Sequence, residues 1–464
     1  MVNEKLVEFN NYIRNKKVAV LGIGVSNIPL VDYLYKHNCQ VTLFDKKEEE
    51  KIDKNIIKKI KDYGMNLSLG ENYLENLNGF NIIFRSPSMR PDVPEIVKEL
   101  ERGAILTSEI ELVMEMCPGT VIGITGSDGK TTTTSLVYEI LKENGKKCYL
   151  GGNIGIPLFT KLEEMDNETY VVLELSSFQL MTMQVSPQIS VITNITPNHL
   201  DIHKSYDEYI EAKANIFKYQ DETGILVVNY DNEITRNLAK QANGKVIYFS
   251  RKEKISDGII LDDGIIKKSD DGLRRHILNT KNMILRGMHN YENACAAVAA
   301  TGTIIEVEKQ AKAIKEFRGV EHRLEFIRKI DGIKWYNDSI GSSPTRTIAG
   351  LYAFDEKIVL IAGGYDKHLD YTPIAKPIVE KVTSLILLGQ TADKIETAVR
   401  DELKSQGKTM NIYRVNTLEE TVETARKVAK PDEIVLFSPA SASFDMFKDF
   451  AERGNKFKQI VQEM

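Results

Sequence analysis

Short apolar runs alternate with polar, helix-like stretches from the start of the chain. KVAVLG, QVTLFD and NIIFRSP are the apolar runs between Lys17 and Glu111. Strands that alternate with helices are typical of βαβ units, so this rhythm predicts a parallel sheet. A second series begins at TVIGITG, passes through a predicted helix that stops at Gly145, and returns in YVVLELSS and ISVITNI.

The pattern changes between about Gly224 and Leu285. ILVVNYDNE, KVIYFS and DGIILDDGIIKK are rich in strand formers, and Asp-Gly pairs mark turns, which predicts an insertion or an edge sheet. The helix-like HNYENACAAVAATG is expected to close the second domain. From about Val320, the runs KIVLIAGG, SLILLG and EIVLFSPAS predict a third α/β series.

These series predict an α/β protein of three domains. The chain has 464 residues, and at roughly 150 residues per domain this length also suggests about three. We place the boundaries near residues 98 and 319, which gives domains over 1–98, 99–319 and 320–464.

Composition narrows the class of protein. Hydrophobic residues make up 42% and charged residues 27%, which is typical of a folded protein rather than a disordered or fibrous one. The net charge of -5 provides no overall attraction to nucleic acid or to an anionic membrane, so neither is expected as a partner. The four cysteines have no close pair and no apolar run approaches the ~18 residues of a membrane span, so a cytoplasmic protein is expected.

The densest chemical signal is GITGSDGKTTT, at Gly123 to Thr133. It follows a predicted strand and opens a predicted helix, where backbone NH groups and the helix dipole can bind phosphate. Ile124 stands where the standard phosphate-loop motif has its first glycine. Lys130 would neutralise phosphate charge and the Thr131 hydroxyl would bind Mg²⁺. The expected nucleotide-binding residues of the loop are Gly126, Ser127, Asp128, Gly129, Lys130, Thr131 and Thr132.

Three further residues follow or flank the strands of this domain. Glu174 ends an apolar strand, and a carboxylate there favours a metal ligand, because a buried acid is otherwise unfavourable. His199 lies just past another strand and is either a ligand or a structural histidine. Composition alone gives no reason to regard Lys213 as more than a solvated surface lysine.

The first domain has a weaker glycine signal. Gly22 and Gly24 follow a strand as in a dinucleotide-binding turn, but Asn27 replaces the third glycine. Asp45 ends the next strand at about the spacing of a ribose-binding acid. The motif indicates either a nucleotide site or a tight turn of a doubly wound sheet, and it does not distinguish NAD from a nucleotide diphosphate ligand.

Several motifs occur in one order along the whole chain: GITGSDGKTT, ELSSFQL, NITPNHLD, GMHNYENA, HRLE, NDS and SPASASFD. In this order they resemble the Mur ligase family of ATP-dependent amide-forming enzymes. The resemblance implies a Rossmann-like N-terminal domain that binds UDP, a central P-loop ATPase domain with a parallel sheet plus a small extra sheet, and a Rossmann-like C-terminal domain that receives an amino acid. It implies UDP-N-acetylmuramoyl-L-alanine and D-glutamate as substrates, ATP and two Mg²⁺ ions as cofactors, and a monomer.

The resemblance also implies residue roles. Lys213 matches the carbamylated lysine of the family and would share one Mg²⁺ with His199, while Thr131 and Glu174 would hold the other. The implied catalytic residues are Lys130, His199, Lys213 and Asp338, with Asp338 or His199 as the base. The implied contacts to ATP outside the loop are Asn290, Asn293, Arg323 and Asp338. The implied substrate contacts are Gly24, Val25, Ser26, Asp45, Lys46, Ser86, Asn153, Ser176, Gln179, Ser342, Lys367, Ser443 and Phe450.

Two departures from the family pattern and three alternatives stand beside this hypothesis. SPS at Ser86 to Ser88 replaces the commoner SPG, and Lys46 and Lys47 follow Asp45 in place of the familiar Thr and Arg, so the uridine pocket is expected to differ in detail. Ile340 occupies the position at which the family usually has a lysine after NDS, so contacts from that loop are expected to differ. A folylpolyglutamate synthase-like ligase has a similar phosphate loop but lacks the N-terminal glycine-rich domain. A P-loop regulatory or motor ATPase would leave the third domain unused, and an NAD-dependent dehydrogenase would leave the GKT loop unexplained.

Overall fold

The computed structural model describes residues 3–24, 27–87, 89–197, 202–367 and 369–464. The chain divides into two compact units. The first comprises Met1–Leu278 and Glu292–Ala313, and the second comprises Asn279–Tyr291 and Ile314–Met464. Across the described ranges, none of the helices is both long enough and apolar enough to span a bilayer.

The first unit begins with a five-stranded parallel sheet in the order β3-β2-β1-β4-β5. Its strands are β1 Lys17–Leu21, β2 Gln40–Asp45, β3 Asn66–Leu69, β4 Ile82–Arg85 and β5 Ile105–Thr107. Its helices are α1 Glu4–Ile13, α2 Ile28–Lys36, α3 Lys54–Asp62, α4 Pro94–Glu101 and α5 Glu109–Met116, with a short 3-10 helix at Glu49–Lys51. The strand order reverses between β1 and β4, and ligands of doubly wound sheets bind at such a reversal.

A nine-stranded sheet forms the rest of the first unit, in the order β14-β13-β12-β11-β10-β9-β6-β8-β7. Its strands are β6 Thr120–Thr125, β7 Cys148–Gly152, β8 Tyr170–Glu174, β9 Ile189–Ile192, β10 Ile225–Asn229, β11 Lys245–Ser250, β12 Gly258–Asp262, β13 Ile265–Asp270 and β14 Leu273–Asn279. The helices along this part of the chain are α6 Lys130–Glu143, α7 Ser177–Leu180, α8 Tyr206–Lys218, α9 Glu233–Ala239, α10 Met288–Thr301 and α11 Val307–Glu316, with short 3-10 helices at Phe159–Glu164 and Thr280–Asn282. The 3-10 helix Thr280–Asn282, the start of α10 and the end of α11 belong to the second unit.

The strand-rich patch forms the edge of this same sheet. β10 and β11 pair in parallel with the central strands, and β12 and β13 then form an antiparallel hairpin. Asp263 and Gly264 connect the hairpin with positive φ angles of 50° and 72°, as the predicted Asp-Gly turn requires.

The second unit contains a six-stranded sheet in the order β15-β16-β20-β17-β18-β19. Its strands are β15 Glu325–Ile330, β16 Ile333–Asn337, β17 Ile358–Ala362, β18 Val382–Leu387, β19 Asn411–Arg414 and β20 Ile434–Phe437. Its helices are α12 Pro344–Leu351, α13 Thr372–Lys381, α14 Ala392–Gln406, α15 Leu418–Val428 and α16 Phe450–Glu463. β15 is antiparallel to β16, and the other pairs are parallel. The expected α/β class with parallel sheets is therefore confirmed.

Candidate active site

The phosphate loop connects the end of β6 to the start of α6. Gly126 and Gly129 have φ angles of 151° and 80°, and both positions are also tightly enclosed. A Cβ at Gly126 would lie 1.9 Å from Thr193 Oγ1, and one at Gly129 would lie 2.2 Å from Asn293 Oδ1. Glycine is therefore required at both positions, for conformation and for space.

Neighbouring strand ends hold this loop in place. The Ser127 hydroxyl lies 2.9 Å from both the Thr196 carbonyl and the Tyr209 hydroxyl. The Asp128 amide donates to Asn194 Oδ1 at 3.0 Å. The first amide groups of a helix have no acceptor within the helix, so a loop fixed at the start of α6 presents donors to an anion.

Two lysines meet at one carbonyl of the loop. Lys130 Nζ donates to the carbonyls of Gly126 and Ser127, both at 2.9 Å. Lys213 Nζ, on α8, donates to the same Gly126 carbonyl at 2.8 Å and to Thr125 Oγ1 at 3.2 Å. Lys213 is 1% exposed, so it is not the solvated surface lysine that composition suggested.

The environment of Lys213 favours a neutral amine. Burial lowers its pKa well below the usual lysine value, and the charge of Lys130 lowers it further. Its Nζ lies 4.8 Å from the centre of the Tyr209 ring. A lysine with a depressed pKa in such a place is nucleophilic near neutral pH.

Glu174 ends β8 next to β6 and is 2% exposed. Its Oε1 accepts a hydrogen bond from Asn153 Nδ2 at 2.8 Å, while Oε2 is buried with no partner within the described ranges. A buried carboxylate oxygen without a donor fits a cation ligand, because such an atom is otherwise unfavourable. Within those same ranges, no group of three or more His, Cys, Asp or Glu side chains is placed to hold a metal. His199 lies outside the described residues.

Helix α10 is anchored to the carboxyl ends of three strands. Glu292 Oε1 accepts from Asn229 Nδ2 at 2.6 Å, and Glu292 Oε2 accepts from Arg251 Nε at 2.7 Å. Asn229 Nδ2 also donates to the Thr193 carbonyl at 3.0 Å. This network holds α10 so that Asn293 lies against Gly129. Sequence reasoning missed Glu292 and Arg251.

The segment after β8 begins with a capping box. Ser176 caps α7, and Gln179 Oε1 accepts from both the amide and the hydroxyl of Ser176 at 2.9 Å. Asn153 donates its side-chain amide to Glu174. These three predicted substrate contacts thus already have hydrogen bonds within the protein, and their substrate roles stay predictions.

At the first sheet, the glycine turn is closed by the predicted ribose acid. Asp45 Oδ2 accepts from the Ile23 amide at 2.8 Å, and Oδ1 accepts from the Lys47 amide at 2.9 Å. Gly22 has a φ of 97° and faces Ser86, whose Cβ would lie 3.0 Å from a Cβ at Gly22. Gly24 has open space around it and Lys46 is exposed. The predicted contacts Val25 and Ser26 lie outside the described residues.

In the second unit, Asp338 follows β16 and is 5% exposed. The Ser438 hydroxyl donates to its Oδ2 at 2.6 Å, and the Leu324 amide donates to its Oδ1 at 3.3 Å. Burial raises the pKa of Asp338 to about 6, although the Ser438 bond and the nearby Arg323 charge oppose this. Ile340, which stands where the family usually has a lysine, donates its backbone amide to the His322 carbonyl at 3.1 Å. This backbone bond holds the loop after Asp338 and does not depend on the side chain at position 340.

The other predicted residues of this unit lie on three segments. Ser443 is 2% exposed, and its carbonyl accepts from the amides of Met446 and Phe447. Lys367 is exposed, with Nζ 5.5 Å from the centre of the Phe444 ring. The Phe450 carbonyl accepts from Ser339 Oγ at 2.8 Å. Two further predicted residues also bond within the unit. The Ser342 amide donates to the Ile340 carbonyl, and the Asn290 side-chain amide donates to the Arg286 carbonyl.

Two buried arginines were not anticipated. Arg453, 2% exposed on α16, donates to carbonyls of Ser339, Ser441 and Ala442 and so joins two of these loops. The pattern of apolar and polar residues in α16 does not indicate that Arg453 is buried. Arg85, also 2% exposed, ends the apolar strand β4. The argument applied to the strand-end acid Glu174 could have identified it.

The fold and this site define a multidomain P-loop nucleotide-binding protein. Three family models match successive parts of the chain: the Mur ligase MurD-like N-terminal domain at residues 16–108, the Mur ligase middle domain at 124–301, and the Mur ligase glutamate ligase domain at 322–441. The chain belongs to the Mur ligase family. Three domains are thereby confirmed, while the boundaries near 98 and 319 stay predictions.

Relatives match over their full lengths. The chain is 51% identical to the UDP-N-acetylmuramoylalanine--D-glutamate ligase of Acetivibrio thermocellus, over 100% of both chains. It is 50% identical to the enzyme of the same name from Clostridium novyi, over 98% of this chain and 99% of that one. Among solved structures, UDP-N-acetylmuramate-alanine ligase MurC from Thermotoga maritima matches with a TM-score of 0.58 at 22% identity, covering 97% of this chain and 99% of that chain. MurF ligase from Thermotoga maritima in complex with ADP matches with a TM-score of 0.55 at 17% identity, covering 98% and 97%. These structures support the fold alone.

Proposed function

We propose that this protein is an ATP-dependent ligase that joins D-glutamate to UDP-N-acetylmuramoyl-L-alanine in peptidoglycan precursor synthesis. The full-length relatives at about half identity act on these compounds by name. The observation that carries the chemistry is the phosphate loop with Lys130 and Lys213 bonded to one carbonyl beside Glu174. A cytoplasmic location and a monomeric state stay predictions.

The first step joins two anions. The carboxylate of the alanyl substrate attacks the γ-phosphorus of ATP, and the bond to the β,γ-bridging oxygen breaks to give an acyl phosphate and ADP. At 4 Å two unit charges repel by about 4 kcal/mol at an effective dielectric of 20. Lys130 and the amide groups at the start of α6 supply the opposing charge, and phosphoryl transfer depends mainly on such positioning and neutralisation.

The donor set around the loop fits divalent metal ions. Glu174 Oε2, which is buried without a protein donor, and the Thr131 hydroxyl would hold one Mg²⁺, and Lys213 with His199 would hold the second. Bound Mg²⁺ neutralises phosphate oxygens and orients them. Glu174 itself is oriented by Asn153, whose amide donates to Oε1, as expected for a residue outside the ligand set that fixes a ligand.

We propose that Lys213 joins this set as a carbamate. Its neutral Nζ forms a bond to the carbon of CO₂ and loses one proton to solvent, so the side chain changes from a neutral amine to an anion. The depressed pKa supports the neutral form that this step needs. An ammonium group, by contrast, has no lone pair for a metal.

In the second step the amine of D-glutamate attacks the acyl carbon and phosphate leaves. The amine must lose a proton, and Asp338 and His199 are the candidates for the base. Asp338 has a pKa of about 6, which is near the range suited to a base at neutral pH. The proposed contacts for D-glutamate are Ser342, Lys367, Ser443 and Phe450.

The proposal is tested by incubating the protein with ATP, Mg²⁺ and UDP-N-acetylmuramoyl-L-alanine. Phosphate release and the mass of the product are compared across D-glutamate, L-glutamate, L-alanine, L-lysine and diaminopimelate. We expect product with D-glutamate alone. Phosphate release that needs no amino acid would instead favour a regulatory ATPase. Lys130→Ala should abolish product formation, while Lys142→Ala, an exposed lysine on the same helix, should leave it unchanged.

A further inference from the structure

Strand β4 ends in a buried cation. Its residues Ile82, Ile83 and Phe84 are at most 1% exposed, and Arg85 is 2% exposed. Burial lowers the pKa of Arg85 to about 10, and Glu111 opposes this through space. A buried guanidinium is unfavourable unless its donors are used, and apolar residues often replace such groups without loss of stability. A buried arginine at this position therefore indicates a role other than stability alone.

The two ends of the guanidinium bind different parts of the first unit. Nη1 donates to the Met89 carbonyl and lies 3.4 Å from the Ser86 carbonyl, both in the loop after β4. Nη2 donates to the Phe178 carbonyl at 2.7 Å and to Thr182 Oγ1 at 3.1 Å, in and after α7. The planar fork of arginine therefore fixes the loop of one sheet to the strand-end segment of the other.

Both segments adjoin predicted substrate contacts. The Ser86 amide donates to the Leu21 carbonyl at 3.0 Å, and Ser86 packs against Gly22, so this loop supports the glycine turn of the first sheet. Phe178 lies between Ser177 and Gln179 in the segment that follows Glu174 and β8. Arg85 thus connects the predicted substrate contacts at the glycine turn of the first sheet with the predicted substrate contacts Ser176 and Gln179.

A second, more exposed connection runs beside the first. Arg90 Nη2 donates to Glu208 Oε1 at 2.8 Å, and Arg90 Nη1 donates to the Ile202 carbonyl at 2.8 Å. Glu208 lies in the first turn of α8, the helix that carries Lys213. Asp92 of the same loop also pairs with Lys204. Among these described connections between the loop after β4 and the segments around α7 and α8, the one through Arg85 is the buried one.

We propose that Arg85 is a positioning residue for the nucleotide-sugar substrate: it sets the distance from Ser86 and Met89 to α7, so that a ligand held at the glycine turn delivers its acyl end to the phosphate loop. This inference rests on the proposed function. Arg85 acts through the two backbone segments and does not touch the reacting atoms. Small errors in the position of reacting groups reduce rates strongly, which is why a rigid spacer matters here.

The test measures three KM values in Arg85→Met, which keeps the apolar stem and removes the fork. We expect the KM for UDP-N-acetylmuramoyl-L-alanine to rise about tenfold or more. A change of this size corresponds to the loss of one or two good hydrogen bonds. The KM values for ATP and D-glutamate should stay within about twofold. Phosphate released per product should also rise, because a misplaced acyl phosphate reacts with water. Arg14→Met, an exposed arginine of the same domain, is the matched control and should match the wild type.

Two further variants separate positioning from folding. Thr182→Val removes one acceptor with little change of shape and should raise the same KM in the same direction, by less. Arg85→Ala should regain activity when low, non-denaturing guanidinium chloride is added, but not with equal sodium chloride. Unchanged KM values, or an equal rise in all three with no guanidinium rescue, would overturn the inference. A wild-type protein that makes no product with D-glutamate would instead overturn the proposed function.

Discussion

Lys213 shows how a single side chain is defined by its surroundings. Its neighbours in sequence are those of an ordinary helix, and nothing in the pattern of α8 marks it. Its role as an anionic ligand was implied by family resemblance, and its burial and depressed pKa are visible only once α8 packs beside the phosphate loop. Glu174 differs, because an acid at the end of an apolar strand is conspicuous in the sequence itself.

Replacing Lys213 with alanine should reduce turnover about 100-fold or more, as expected when a charged group of a phosphoryl-transfer site is lost. Short carboxylic acids that fit the vacated space should restore part of the activity. Lys218→Ala, an exposed lysine in the last turn of the same helix, is the control. Steady-state rates with and without acetate or formate provide the measurement, and full activity of Lys213→Ala would contradict the carbamate.

Asp338 gives a prediction for stability against pH. Its pKa is about 6 in the folded protein against 3.8 as the ordinary value. The folded state therefore binds the proton more tightly, and the associated stability is complete below pH 3.8 and is lost as the pH rises through 6. The difference is worth about 3 kcal/mol.

The Asp338→Asn variant should therefore gain stability relative to the wild type as the pH rises from about 4 to 7. Thermal unfolding of both proteins across this range gives the measurement. A melting-temperature difference that is constant with pH would show that the Asp338 carboxyl titrates normally. The variant should also lose ligase activity, since Asp338 is a proposed ATP contact.

Among the elements, the phosphate loop is the part that sequence predicts best. Glycines followed by a lysine and a threonine, placed between a strand and a helix, are highly specific for phosphate binding. The hairpin at Asp263 and Gly264 was equally predictable from its turn residues. By contrast, the edge position of β12 to β14 and the anchoring of α10 by Glu292 depend on contacts between distant segments, which local patterns do not encode.

Helix α6 offers an internal comparison of two glycines. Gly129 precedes the helix and Gly145 follows it, with φ angles of 80° and 73°. Only Gly129 is enclosed, because a Cβ there would lie 2.2 Å from Asn293 Oδ1, while Gly145 has open space within 4 Å. Alanine at either position carries the left-handed penalty of about 1 kcal/mol.

We expect Gly129→Ala to raise the KM for ATP about tenfold or more, since the start of α6 and Asn293 must move apart. Gly145→Ala should lose stability to a similar extent through its backbone but keep the wild-type KM. Melting temperatures and ATP titrations of both variants separate the two effects. Equal KM values would show that the close approach at Gly129 is unimportant.

For the whole molecule, the sequence predicted the class and the three domains, because each domain repeats its own strand rhythm. It did not predict that the first compact unit is discontinuous. Residues 279–291 belong to the second unit, and the chain returns to the first at Glu292. That return brings Glu292 to Asn229 and Arg251 and buries Cys295 and Val298.

Truncated fragments of the chain should differ in stability according to whether they contain residues 292–313, which complete the first unit. A fragment of residues 1–319 keeps α10 and α11 and should unfold cooperatively. A fragment of residues 1–278 leaves Asn229 and the strand ends uncovered and should aggregate or unfold at a much lower temperature. Circular dichroism melts and gel filtration of the two fragments check this. Equal behaviour would place the end of the central domain before α10.

The Gly126 carbonyl accepts from both Lys130 and Lys213, so the proposed carbamylation of Lys213 would change the hydrogen bonding of the phosphate loop. In the proposed carbamate the Lys213 nitrogen keeps a single N–H and carries an anionic group, so its hydrogen bond to this carbonyl should weaken and leave Lys130 as the main donor. On the proposed function, protein kept free of carbon dioxide should therefore bind ATP but transfer its γ-phosphoryl group poorly.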